Sequence, residues 1–269
     1  MIKYLAIGSF DGIHLAHQEL IKRADGVAVI EHSKATITPG WRRTLYIKKP
    51  TFFYLLEHIQ NCTPKEFLER LKRDFPNLEG LVVGYDFAFG KNRSGNIELI
   101  KSYFSKTIVV DEVKVDNISV HSRVIREAIL NSNINLANRL LGRNYQISGY
   151  QIRGLGLGSK ELFPTINLKV LQYSLPTGVF AVYAYINNQK YKAVCFIGNR
   201  ATIDNSFSVE FYILDKFKNQ TIYDEITIEF VEFIRENRKF DNLKQLKDAI
   251  DTDINSAKEI LTDLTHLLR

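Results

Sequence analysis

The ten residues Gly8-Ser9-Phe10-Asp11-Gly12-Ile13-His14-Leu15-Ala16-His17 set two imidazoles three positions apart, directly after an apolar run. With a helix starting around His17, both rings face one point at its N-terminus, where free N–H groups and the macrodipole favour an anion. Two imidazoles there can donate hydrogen bonds to phosphate oxygens as charge develops, and Gly8 and Gly12 let backbone approach a ligand closely. His-x-x-His is also half of a metal site or an ordinary surface pair. No third ligand follows at zinc spacing, and no His-Glu-x-x-His occurs. Far along the chain, Thr165 and Asn167 stand two apart. On an extended strand they share one side and offer a hydroxyl and an amide oxygen, hard ligands of the kind that suit Mg²⁺. Glu210 alternates with Val209 and Phe211, so it leaves the apolar face of its strand, either as a proton acceptor or as a solvent-facing glutamate. The stretch Gly149–Lys160 carries Gly154, Gly156, Gly158 and Lys160. It is neither a Walker A motif nor G-x-G-x-x-G, since residue 159 is serine. Its glycines either cradle phosphates with backbone N–H groups or form a plain hairpin.

The elements that must position these groups fall into two rhythms. In the first half, Ile2–Ile7, Val27–Glu31, Leu81–Val83 and Ile108–Val110 read as strands. His17–Ala24, Thr51–His58 and Ile97–Phe104 read as helices. Thr63-Pro64-Lys65-Glu66 is a capping box with proline at the first helical position, opening a helix to about Phe75. Such alternation implies an α/β unit with a parallel sheet and helices on its faces. Helices over Ser122–Leu130 and Leu136–Leu141 follow, stopped by Gly142. From Tyr145 the pattern changes. Val179–Ile186, Tyr191–Ile197, Val209–Leu214 and Ile226–Ile234 read as antiparallel strands, with a turn at Asn187-Asn188, in a small barrel or sandwich. Leu243–Leu268 closes the chain as a helix with Leu246, Ile250, Ile254, Ala257 and Leu261 on one side. The boundary falls near Gly142–Gln146, giving domains 1–143 and 144–269.

At 269 residues and 45% hydrophobic content the chain can bury two cores. Its formal charge of +6 suits anionic partners, but the lysines and arginines are scattered and no basic cluster with exposed aromatics marks a nucleic-acid surface. Two distant cysteines, Cys62 and Cys195, make neither a disulfide framework nor a zinc pattern and fit a reducing cytoplasm. No apolar run is long enough to span a membrane, and Asp11 comes too early for a signal peptide.

Several stretches are more specific than their parts. GSFDGIHLAH resembles the G-x-F-D-G-x-H-x-G-H signature of nucleotidyltransferases in the form found in bacterial FAD synthetases, with Ala16 in place of glycine. Val82–Gly95 resembles the V-V-G-x-D-F-x-F-G-x-x-R-x-G segment of the same enzymes. Val120–Arg126 resembles I-S-S-T-x-I-R, with His121 for a serine and Arg123 for the threonine. Phe163–Leu168 is similar to the F-P-T-A-N-L motif of riboflavin kinases, preceded by Glu161-Leu162 where the family has Leu-Gly. Pro176–Phe180, Phe196–Thr202 (Ala201 replacing proline), Val209-Glu210, and Arg235-Glu236 with Lys239-Phe240 continue the likeness in order.

The resemblance to bifunctional riboflavin kinase/FAD synthetases therefore covers nearly the whole chain. It implies a Rossmann-like nucleotidyltransferase domain followed by a small antiparallel barrel with a C-terminal helix. The barrel would phosphorylate riboflavin to FMN with ATP and Mg²⁺. The metal would lie on Thr165 and Asn167, the phosphates under Gly154–Lys160, the base would be Glu210, and Arg235 would lie beside the flavin. The N-terminal half would adenylylate FMN with a second ATP to FAD and pyrophosphate. There His14 and His17 would stabilise the α-phosphate, and Gly8, Phe10, Asp11, Gly12, Asp86, Ser122 and Arg126 would hold nucleotide and phosphates. The expected partners are flavins and ATP, with no nucleic acid and no membrane. Ala16 and Arg123 leave a rival in which the kinase is intact and the adenylyltransferase is weakened or altered. A flavin- or nucleotide-binding module without turnover is a second rival.

Overall fold

The computed structural model describes residues 1–32, 36–153, 163–217 and 225–267, with side chains of the last helix described to residue 262. The glycine-rich loop from Gly154 to Lys160, with Glu161 and Leu162, lies outside the described residues, as does Leu268. The chain forms two compact units, Met1–Val124 and Ile125–Arg269.

In the first unit, β1 (Tyr4–Gly8), β2 (Gly26–Glu31), β3 (Thr51–Leu55), β4 (Gly80–Gly84) and β5 (Ile108–Val110) form, among the described residues, a parallel sheet in the order β3-β2-β1-β4-β5. After β1 the chain adds β2 and β3 on one side, then returns to add β4 and β5 on the other. The order therefore reverses between β1 and β4, and their carboxyl ends, Gly8 and Gly84, open a crevice where open α/β sheets bind ligands. Alternation sends Leu5, Ile7, Leu81 and Val83 to one face, against Phe67, Leu68 and Leu71 of α3 (Pro64–Asp74) and Ile100 of α4 (Ile97–Tyr103). Ala6 and Val82 go to the other face, against Leu20 and Ile21 of α1 (Leu15–Lys22). The capping box of α3 forms as the sequence predicts: Thr63 Oγ1 accepts the Glu66 N–H, and Glu66 accepts the Thr63 N–H.

One element differs from expectation. Thr51–His58 is not a helix: Thr51–Leu55 is the edge strand β3, and only Leu56–Ile59 turns into a short α2. A continuous apolar run does not distinguish the two periods; here the pairing of β3 with β2 and the aromatic content of Thr-Phe-Phe-Tyr-Leu favour the strand. A small hairpin, β6 (Lys114–Val115) and β7 (Ile118–Ser119), precedes α5 (Ser122–Leu130).

The second unit carries α6 (Ile134–Leu141), capped by Gly142 at φ 70°, and six strands: β8 (Tyr145–Ile152), β9 (Ile166–Val170), β10 (Gly178–Ile186), β11 (Gln189–Asn199), β12 (Phe207–Ile213) and β13 (Ile226–Arg235). Among the described residues these close into an antiparallel barrel in the order β10-β11-β12-β9-β8-β13. Asn187 and Asn188, at φ 48° and 62°, make the two-residue turn between β10 and β11, the conformation asparagine tolerates best after glycine. Val179 and Ala181 of β10 and Val194 of β11 face outward onto Ile254, Ala257 and Leu261 of α7 (Leu243–Leu267). Between them Phe180 and Val182 turn inward, Phe180 edge-on to Phe230 at 5.3 Å. A cavity lies in the seam between α7 and the barrel wall.

Candidate functional site

The crevice at the β1–β4 switch point is a cavity of about 530 Å³, bordered by Gly8, His14, Ala16, His17, Gly84 and Asp86 among others. The turn after β1 is tight. Phe10, Gly12 and Ile13 have φ of 48°, 85° and 43°, and the Phe10 and Ile13 side chains are fully buried, so packing holds a backbone that non-glycine residues rarely adopt. Asp11 is buried. Its Oδ1 accepts the N–H groups of Ile37 (2.8 Å) and Thr38 (3.1 Å), and its carbonyl accepts the Ser122 hydroxyl at 2.8 Å. Asp11 thus ties the loop after β2 and the start of α5 to the turn.

Helix α1 begins at Leu15, two residues earlier than the sequence reading, because His14 is its N-cap: its Nδ1 accepts the His17 N–H at 3.3 Å. With Nδ1 as acceptor, the neutral ring carries its proton on Nε2. His14 and His17 stack with centroids 3.6 Å apart and planes 16° from parallel, and Phe10 lies 5.0 Å from His17. Two imidazoles, one wholly buried, thus sit at a helix N-terminus beside the cavity. Ala16 is the second residue of α1. Its backbone is helical, so the methyl group costs no strain there. Asp86, exposed, follows the end of β4. Tyr85 beside it places its hydroxyl 3.4 Å from His121 Nε2; desolvation, then the charges of Glu112 and Asp86, raise its phenol. Arg126 lies one turn beyond Ser122 on α5, and Arg123 is exposed.

The second cavity, about 470 Å³, lies between the outer barrel wall and α7. Its walls are largely apolar: Phe163, Val194, Phe196, Tyr212, Leu246 and Ile250. Polar groups gather on β9 and β12. Glu210 is opposite Asn167 across the β12–β9 ladder and opposite Phe196 across β12–β11. Val209 and Phe211 are buried on the other face, as the alternation predicts. The Thr165 hydroxyl donates to Glu210 Oε2 at 3.1 Å. Thr165, Asn167 and Glu210 are therefore brought together from positions 45 residues apart.

Arg235 borders the same cavity. Its Nε and Nη2 donate to Asp253 of α7 at 2.8 and 2.7 Å, and its Nη1 donates to the Glu236 carbonyl at 3.0 Å. Sequence reasoning gave no role to Arg200, whose Nη1 lies 3.4 Å from Glu210 Oε1. The signal was an arginine just after one strand of a hairpin and a glutamate on the next, a pair visible only once register is known. Cys195, buried inside the barrel, has its thiol pushed up by desolvation and by the nearby Glu210 charge.

Comparison with known proteins places a flavin-related family model on each part of the chain. A family model described as riboflavin kinase matches residues 141–261, and one described as FAD synthetase matches residues 44–126. The bifunctional riboflavin kinase/FMN adenylyltransferase of Bacillus subtilis is 29% identical over 97% of this chain and 93% of its own length. The protein of the same description from Buchnera aphidicola subsp. Acyrthosiphon pisum is 30% identical over 93% of this chain and 90% of its own length. The chain belongs to the bifunctional riboflavin kinase/FMN adenylyltransferase family. Among solved structures, a Streptococcus pneumoniae protein described as a macrolide-efflux protein superposes on this member of the flavin family with a TM-score of 0.82 at 27% identity, covering 95% of this chain and 93% of that one. Among the described residues no helix is long and apolar enough to cross a membrane. The FAD synthetase match begins downstream of His14 and His17, so the reading of those two residues rests on the turn, the cap and the stacked rings.

Proposed function

We propose that the two cavities divide the two activities of the family between them. The chain is a riboflavin kinase and an FMN adenylyltransferase. The kinase step is assigned to residues 144–269 and adenylyl transfer to residues 1–143.

In the barrel, the flavin ring lies against the apolar wall beside Arg235. The terminal hydroxyl of its side chain gives its proton to Glu210. The hydroxyl oxygen forms a bond to the γ-phosphorus of ATP, the bond to the β–γ bridging oxygen breaks, and ADP leaves. Mg²⁺ fits this end of the cavity. Thr165 and Asn167 supply neutral hard oxygens, and among the described residues no cluster of three His, Cys, Asp or Glu side chains offers a full protein cage. That donor set suits an ion held mainly by phosphates and water. When bound, Mg²⁺ neutralises phosphate charge. The Gly154–Lys160 loop is assigned to cover the phosphates.

In the sheet unit, a phosphate oxygen of FMN bonds to the α-phosphorus of a second ATP, the bond to the α–β bridging oxygen breaks, and pyrophosphate leaves. His14 and His17 stabilise the charge developing on the α-phosphate. Gly8, Phe10, Asp11 and Gly12 shape the turn around it, and Asp86, Ser122 and Arg126 position nucleotide and phosphates. No covalent enzyme intermediate is needed, so placement and electrostatics carry the step. The helical backbone at Ala16 supports a working site. Flavins and ATP are the partners, with no nucleic acid, in the cytoplasm.

The observation that carries this reading is the meeting of Glu210, Thr165 and Asn167 at the polar end of an apolar cavity. The test is incubation with riboflavin, ATP and Mg²⁺, with products separated and read by fluorescence. FMN followed by FAD is the expected course. FMN that accumulates without FAD contradicts the assignment of the N-terminal cavity, and no conversion contradicts both.

A further inference from the structure

We propose that Arg200 is the positioning residue for Glu210, holding its carboxylate toward Thr165 and the substrate hydroxyl. The inference rests on the assignment of Glu210 as the base.

Glu210 is held at both oxygens. Oε2 accepts the Thr165 hydroxyl at 3.1 Å, and Oε1 faces Arg200 Nη1 at 3.4 Å. Both side chains of the ion pair are only 16% exposed, which sets it apart from surface pairs that solvent renders nearly neutral in energy. The guanidinium is itself fixed. Its Nε donates to Ser206 Oγ at 3.2 Å and its Nη2 to Asp204 Oδ2 at 3.2 Å. The hairpin between β11 and β12 is wrapped around the same residue: the Arg200 N–H donates to the Ser206 carbonyl, and the Arg200 carbonyl accepts the N–H groups of Ile203 and Asn205. The Ser206 backbone N–H, then the Ser206 side chain and the Arg200 charge, hold Asp204 below the usual carboxylate range. One planar fork thus reaches Glu210, Asp204 and Ser206 from three nitrogens, a geometry an ammonium cannot reproduce. A glutamate on a strand has three rotatable bonds. Thr165 and Arg200 together select one placement of its carboxylate, the kind of orientation whose loss by about 1 Å costs about 10²-fold in rate.

The experiment compares Arg200→Gln, Glu210→Gln and the double variant in the full chain. FMN adenylylation and thermal melting serve as controls for folding. Arg200→Gln is expected to lower kcat for riboflavin phosphorylation about 10- to 100-fold and to leave the riboflavin KM within about 2-fold. The double variant is expected to be no slower than Glu210→Gln alone. If Arg200→Gln raises KM with kcat intact, or changes neither while Glu210→Gln abolishes the reaction, the positioning role is wrong and the base assignment stands. If Glu210→Gln keeps wild-type kcat, the base assignment itself fails. If Arg200→Gln melts early, Arg200→Lys decides: a folded protein with reduced kcat supports the proposal, and wild-type kcat overturns it.

Discussion

Glu210 and Asn167 stand directly opposite each other on β12 and β9, so a carboxylate and an amide leave the barrel wall side by side. Register, not sequence proximity, makes this pair. Replacing Asn167 with Leu removes a hard oxygen while keeping a similar volume. The expected result is a rise in the Mg²⁺ concentration needed for half-maximal FMN formation, with kcat down by about 10-fold or more. FAD formation from supplied FMN is expected to stay at the wild-type level. A magnesium titration of both reactions checks this.

His14 does two jobs that substitution can separate. It caps α1 through Nδ1 and borders the cavity, where the proposed reading gives it a second role. His14→Asn keeps a capping side chain and loses the distal donor. Adenylyl transfer is expected to fall about 10²-fold, with the melting temperature close to wild type. His14→Ala loses both, adding about 1 kcal/mol of destabilisation. Parallel activity and denaturation curves distinguish the two roles.

Ala16 replaces a glycine of the related signature, yet it sits inside α1. Ala16→Gly is therefore expected to give no sharp gain in FAD formation and to destabilise by about 0.5–1 kcal/mol through added backbone freedom. A large gain would mean that the methyl group obstructs the nucleotide, the weakened-site alternative.

Arg43 is fully buried, with its ion pair to Glu31 at the end of β2 and a hydrogen bond to the Gly40 carbonyl. Its Nε and Nη2 find no hydrogen-bond partner among the described residues. Glu31→Gln leaves that cation uncompensated, and a loss of about 3 kcal/mol is expected. Glu31→Gln with Arg43→Met is expected to recover part of it. Urea denaturation measures both.

The sequence made legible those parts of the fold with a clean period or a capping signal. The capping box at Thr63, the stop at Gly142, the turn at Asn187-Asn188 and the alternation around Glu210 each carry a local physical cause. Within Thr51–His58 the apolar run Phe52–Leu56 serves a strand or a helix equally, and only pairing with β2 decides. The start of α1 moved because an N-capping histidine is a weaker sequence signal than serine or aspartate. The candidate residues at the two cavities come from spacing and resemblance. Their mutual geometry has no such signal. The Arg200–Glu210 pair depends on how β11 turns into β12, and the anchoring of Asp11 depends on a loop 26 residues away. Such long-range register leaves no local pattern.

The most direct test of the account separates the two steps in one protein. Glu210→Gln and His14→Asn are each assayed with ATP and Mg²⁺, once with riboflavin and once with FMN. The division of labour predicts that Glu210→Gln makes little FMN from riboflavin but converts supplied FMN to FAD at the wild-type rate. It predicts that His14→Asn accumulates FMN from riboflavin and converts it to FAD slowly. If either substitution slows the other unit's reaction equally, in a protein that melts normally, the two cavities do not divide the chemistry as described.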